Sequence, residues 1–187
     1  MILTYYGEGG FRLQNGDFSL LVDPPTNQYK ANIILKTLTP VSVVTVPDNE
    51  VIFPGEYEMS GVEILGWQLL AESTENFIKT IYSVRWEDMQ FVFLGHLSKV
   101  PGAELLDKIG EPDVLFVPVG GGHFLSAEAA AKLSKSLAPS LIVPSFYQSP
   151  SDFSKAFGQK VEIVDKFVFK RKDLAEAKSK VIVFKRS

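Results

Sequence analysis

His96 and His123 are the only histidines in 187 residues, and there is no cysteine. Imidazole titrates near neutral pH, so each ring could move a proton or bind a metal ion through a nitrogen. Asp23, Glu8 and Glu56 are the carboxylates able to join them. In a hydrolytic arrangement His96 would be ligand or base, His123 ligand or acid, and Asp23 and Glu56 their carboxylate partners. The pattern has no diagnostic metal spacing, however. A tolerated His96 and a surface His123 is the simpler reading. Without cysteine, disulfides, thiolate metal sites and a cysteine nucleophile are all excluded. No Gly-x-Ser-x-Gly elbow occurs, which argues against a serine hydrolase of the α/β type.

Two further groupings have chemical potential. Gly120-Gly121-Gly122 precedes an expected helix at Ser126 and could hold an anion with backbone N–H groups. It lacks the Lys-Ser/Thr of a P-loop, and a sharp backbone turn is the commoner use of such glycines. Glu56 and Glu58 lie two apart, hence on one face of an extended segment, where a solvated face is the simpler reading.

The elements that must position these residues change character midway. The first half reads as short β runs: 2–6, 11–14, 18–23, 32–36, 42–46 and 61–70, with Asn15-Gly16 as a hairpin signal. Runs 77–86 and 89–94 form a second hairpin across Glu87-Asp88. After Leu94 helix and strand alternate. Helices are expected over 101–109, over 126–138 with Ser126 as N-cap, and over 151–157. Strands are expected over 113–119, 140–144, 161–171 and 180–186, the last two flanking a polar segment at 172–179. This order suggests an α/β (α+β) fold of two face-to-face sheets with outer helices, the outline of a four-layer αββα sandwich.

Length and composition fit one domain spanning 1–187. At 45% hydrophobic and 22% charged residues, the chain has enough apolar surface to fold by itself. No run reaches the roughly 18 apolar residues of a membrane span, and the N-terminus lacks a basic signal start, so a cytoplasmic location is expected. The net charge of -3 hides an asymmetry. Residues 166–187 hold eight of the 19 Lys and Arg with two acids, giving about +6 against about -9 for the remainder. Lysines that blunt an edge strand explain this more simply than a nucleic-acid patch.

The strand 2–6 with Gly7-Glu8-Gly9-Gly10-Phe11, followed by Leu20-Leu21-Val22-Asp23-Pro24, resembles the opening of the metallo-β-lactamase superfamily. The likeness is to its branch of Zn-dependent hydrolases similar to ascorbate-6-phosphate lactonase. Phe53 to Ile64, Phe91 to Leu97, Asp113 to Gly122 and Leu141 to Tyr147 are similar to further signatures of that branch, in order. The resemblance implies the αββα sandwich, with an active site gathered at C-terminal strand ends, where His96 and His123 fall.

It also implies a metal centre whose donors are missing. Where the His-x-His-x-Asp-His loop should follow the strand 32–36 stands Thr37-Leu38-Thr39-Pro40-Val41-Ser42. His96 takes the place of the bridging Asp, and Phe146 that of the last His. A catalytic zinc needs at least three fixed donors and an open position, so no metal is expected. Zinc or manganese belongs only to the alternative in which His96 and His123 serve a divergent lactone or phosphoester hydrolase. The leading expectation is a non-catalytic protein that binds a small molecule or a protein partner, homo-oligomerisation included, with nucleic acid a minor option and no membrane contact.

Overall fold

A computed structural model describes Met1 to Lys185 apart from Val44, Gln148, Pro150 and Lys160, with Ser151 and Asp152 described by backbone alone. Alternating burial in the first strands fits a sheet with one face on the core: Leu3, Tyr5, Phe11 and Leu13 are buried while their neighbours within the strands are not. Strands β1 (Ile2–Tyr5), β2 (Phe11–Asn15), β3 (Phe18–Val22), β4 (Ile33–Leu35) and β6 (Glu50–Val51) join β14 (Lys166–Val168) in a six-stranded sheet of order β14-β1-β2-β3-β4-β6.

A larger sheet runs β13-β15-β12-β11-β10-β9-β8-β7. Its antiparallel part is β7 (Gly55–Met59), β8 (Val62–Gln68), β9 (Phe77–Trp86) and β10 (Met89–Phe93). Its parallel part adds β11 (Val114–Pro118), β12 (Leu141–Ser145), β15 (Lys180–Phe184) and β13 (Glu162–Val164). Strand β11 is buried along its whole length, as expected of a parallel strand covered on both faces. A short β5 (Leu38–Pro40) pairs with β9. Phe11 of the first sheet meets Phe116 of the second at 4.7 Å, and Phe18 meets Trp86 at 5.4 Å, so the sheets pack face to face around an aromatic core.

Helices α1 (Ala103–Ile109), α2 (Ala127–Leu137), α3 (Ser151–Phe157) and α4 (Arg171–Glu176) all follow β10 in the chain. Ser126 caps α2, its hydroxyl accepting from Ala129 N at 3.2 Å. This is the mixed α/β sandwich expected. Among the described residues no helix is long and apolar enough to cross a membrane.

Four local expectations need correction. No strand forms among the described residues of 42–46; β5 forms earlier, and Val43 N turns back to Pro40 O at 3.3 Å. The expected strand 161–171 is two strands, and the chain switches sheets at Asp165 between β13 and β14. The polar segment 172–179 holds most of α4, whose first turn is fixed by Asp173 Oδ2 accepting from Lys170 N at 2.8 Å. The last strand ends at Phe184, and Arg186 lies outside the described residues. The basic tail is partly neutralised: Lys180 pairs with Glu162 at 2.7 Å, Lys185 with Asp165 at 3.1 Å and Arg171 with Asp88 at 3.5 Å. Those pairings favour the solvated-edge reading of the charge run.

The β9–β10 hairpin turns through Glu87 (φ 54°) and Asp88 (φ 56°), a left-handed pair that suits Asn-Gly far better than two side-chain acids. Replacing Glu87-Asp88 by Asn-Gly is expected to raise stability by about 1 kcal/mol, a Tm gain of roughly 2–4 °C for a chain this long. A thermal melt checks this, and the surface pair with Arg171 is too exposed to offset the gain.

Candidate functional site

The site lies at the C-terminal ends of strands, where open α/β sheets gather their ligands. Asp23 follows β3, Thr37 lies two residues past β4, His96 three past β10, and Phe146 directly past β12. Asp23 and Phe146 hold φ of 44° and 58°, a left-handed conformation that costs a non-glycine residue about 1–2 kcal/mol. Strain of this kind concentrates at functional positions.

Thr37 is fully buried and joins the other two polar groups. Its backbone N donates to Asp23 Oδ1 at 2.7 Å, its hydroxyl to Asp23 Oδ2 at 2.5 Å, and the same Oγ1 lies 2.8 Å from His96 Nδ1. His96 Nδ1 and Asp23 Oδ2 are 4.0 Å apart, too far for a direct hydrogen bond. A threonine hydroxyl has one proton. With that proton donated to Asp23, Oγ1 accepts from His96 Nδ1–H, and in the neutral ring this tautomer leaves Nε2 as the open acceptor. The chain thus reads His96 Nδ1–H to Thr37 O–H to Asp23.

Burial acts on both ends of this chain. It pushes the Asp23 carboxyl up, with His96 and the Thr37 hydrogen bonds pulling partly back, and pushes the His96 imidazole down, with Asp23 opposing and Lys79 assisting. Side-chain exposures are 11% and 21%, consistent with a cost for charge at both. The stability linked to His96 is complete above its ordinary 6.5 and lost as pH falls through the folded value. That linked to Asp23 runs the other way, complete below 3.8 and lost as pH rises through its folded value.

Aromatic rings pack beside the imidazole. Phe146 stacks on Phe124 with centroids 4.0 Å apart and planes at 16°, and meets the His96 ring at 5.0 Å. The Phe146 ring fits only because residue 9 is glycine: a Cβ there would lie 2.3 Å from its Cζ. The His96 loop is held from behind by Lys79, which donates to His96 O at 2.7 Å and to Glu72 at 3.0 Å. Glu72 also accepts from Ser98 N, Ser98 Oγ and Lys99 N at 2.6–2.9 Å. Burial alone would raise its carboxyl, but these hydrogen bonds outweigh that and hold it below its ordinary value.

Of the residues expected from sequence, Asp23 and His96 converge, whereas His123, Glu56 and Glu8 are exposed and stay outside the hydrogen-bonded chain. Among the described residues no three His, Cys, Asp or Glu come together to hold a metal ion, so pairing of His96 and His123 with Asp23, Glu8 or Glu56 around one ion does not occur. The resemblance implies a metal, and the residues present do not fit one. Both Asp23 oxygens and His96 Nδ1 are taken up by Thr37, and Phe146 fills the space beside them. The anion reading of Gly120-Gly121-Gly122 is weakened too, because Gly121 N donates to Leu125 O at 2.9 Å. Thr37, Phe124, Lys79 and Glu72 were not legible as site residues. Thr37 alone left a trace, as the residue standing where a histidine loop should begin.

The protonation scheme has a spectroscopic consequence. In 15N-resolved spectra at neutral pH, with the His96 signals assigned through His96→Ala, His96 is expected as the neutral Nδ1–H tautomer, becoming charged only below 6.5. A Thr37→Val variant should shift its Nδ1 resonance and leave the fold intact. An Nε2–H tautomer in the parent protein would reverse the direction of the hydrogen-bonded chain.

Residues 2–145 match the family model of the beta-lactamase superfamily domain. No curated protein matches the chain in sequence. Among solved structures it is similar to a protein from Thermotoga maritima assigned to the Zn-dependent hydrolases of the metallo-beta-lactamase superfamily, with TM-score 0.82 and 23% identity over 100% of this chain and 99% of that one. It is similar also to a metallo hydrolase from Ignicoccus hospitalis, with TM-score 0.67 and 15% identity over 90% and 99%. A third likeness is to the isothiocyanate hydrolase from Delia radicum gut bacteria, with TM-score 0.61 and 12% identity over 98% and 96%. These structural likenesses show a shared fold, and with the family match over residues 2–145 the chain belongs to the beta-lactamase superfamily.

Proposed function

We propose that this chain is a non-catalytic binding or interaction protein built on a metallo-hydrolase scaffold. The observation that carries the reading is the use of the surviving donors. Both Asp23 oxygens and His96 Nδ1 are engaged by Thr37, with Phe146 packed against the imidazole, so the two side chains cannot share an ion through those atoms, and His96 Nε2 alone is one donor where a site needs at least three. The chain works as one domain in the cytoplasm and recognises a small molecule or a protein, a second copy of itself included. Neither nucleic acid nor a membrane is its target: Arg171, Lys180 and Lys185, three of the eight basic residues of the tail, are already paired.

One observation favours a second reading. His96 is oriented at Nδ1 by a hydroxyl that is itself held by a carboxylate, leaving Nε2 open. A base positioned by a third group is the arrangement that activates nucleophiles in unrelated hydrolases. Such an enzyme would act on lactones or phosphoesters without a metal, with His96 as base and Asp23 as the distant orienter.

Elemental analysis of the purified protein, combined with assays on a panel of lactones and phosphoesters, separates the readings. The binding-protein reading predicts well under about one zinc or manganese per chain after dialysis and no turnover. Turnover that disappears in His96→Ala without metal would replace it with the second reading, and stoichiometric metal that survives dialysis would contradict both.

A further inference from the structure

The two surviving donors stand close to metal-ligand spacing. Two ligand atoms of a tetrahedral zinc, each bonded at 2.0–2.1 Å, lie about 3.4 Å apart. Asp23 Oδ2 and His96 Nδ1 lie 4.0 Å apart. The atom between them is Thr37 Oγ1, at 2.5 Å from one and 2.8 Å from the other. An ion bonded to both would need the space that this oxygen fills.

Both filling groups are matched by a glycine. Gly95 sits at φ 55°, and a Cβ there would come within 2.3 Å of Thr37 Cβ and Oγ1, so only glycine at 95 lets Thr37 reach its position. Gly9 performs the same service for Phe146. The pairs Thr37 with Gly95 and Phe146 with Gly9 come from four separate loops, and the Phe146 ring is stacked on Phe124 rather than loosely placed. A merely decayed site would leave a void or a disordered loop. This one is packed.

We infer that Thr37 and Phe146 together replace a metal ion: the hydroxyl takes over the cross-link between the carboxylate and the imidazole, and the ring takes over the volume and excludes water. Thr37 is therefore a positioning residue, and Asp23 and His96 form a latent metal site blocked by these two side chains. The inference rests on the metal-free reading of the cleft and adds that exclusion is active, not the passive result of too few donors.

The test is gain of metal binding. Thr37→Ala removes the blocking hydroxyl and Phe146→His removes the plug while supplying a third donor. The double variant is expected to bind about one Co2+ per chain, at least about 100-fold tighter than the parent, since adding a direct donor should outweigh the 10–100-fold usual for an outer-shell partner. Phe146→His combined with Thr37→Ser, which keeps the hydroxyl, should stay near the parent. Calorimetric titration with Co2+ and the cobalt absorption spectrum report both, and circular dichroism reports folding. A folded double variant that binds no better than the parent overturns the inference, as does a serine variant that binds equally well.

Should the double variant not fold, the parent protein still decides. With excess Zn2+ its His96 Nδ1 is expected to keep its proton, and loss of that proton to zinc overturns the inference. Metal-free hydrolysis by the parent would remove the proposed function alone. Failure of the folded double variant would remove this inference alone.

Discussion

A hydroxyl carries one proton, and at Thr37 that single proton organises the site. Oγ1 can donate to Asp23 or to His96 but not to both, so one neighbour must accept and the other must donate. With the carboxylate as acceptor, the imidazole must donate from Nδ1, and the tautomer of the neutral ring is fixed. Burial penalises charge on the carboxylate and on the imidazole alike, and the Thr37 hydrogen bonds offset part of that penalty at Asp23. The loops that follow β3, β4 and β10 are thereby joined by two short hydrogen bonds at one hydroxyl.

Much of the surrounding structure serves to hold that junction. Face-to-face sheets bring the ends of β3 and β4 opposite those of β10 and β12, with Phe11 and Phe116 in contact beneath them. Glu72 gathers four hydrogen bonds from Lys79, Ser98 and Lys99, and Lys79 in turn fixes the carbonyl of His96. The left-handed backbone at Asp23 and Phe146 is costly, and packing over-determines it. Strained backbone, buried hydrogen bonds and stacked rings thus hold one cluster at the strand ends of the shared fold.

The architecture was largely readable from periodicity and turn chemistry. Alternation in β1 and β2, the buried run of β11 and the Ser126 cap each reflect a local physical preference, and the structure follows them. Long-range geometry was less readable. Nothing local marks Asp165 as the point where a strand changes sheets, or Thr37 as anything beyond a threonine after an apolar run. Its importance comes from Asp23 and His96, 14 and 59 residues away. Asp23 and His96 were identifiable because their side chains are chemically rare or follow strand ends. His123 and Glu56 met the same criterion and failed it in space, since residue type indicates capacity and only the fold decides convergence.

Zinc-edge anomalous diffraction from crystals of the unaltered protein grown with excess zinc tests the central claim most directly. The account predicts no anomalous peak at the site, with Thr37 Oγ1 in clear density between Asp23 Oδ2 and His96 Nδ1 and the Phe146 ring stacked on Phe124. A peak within about 2.2 Å of both donor atoms, with Thr37 turned away, would contradict it.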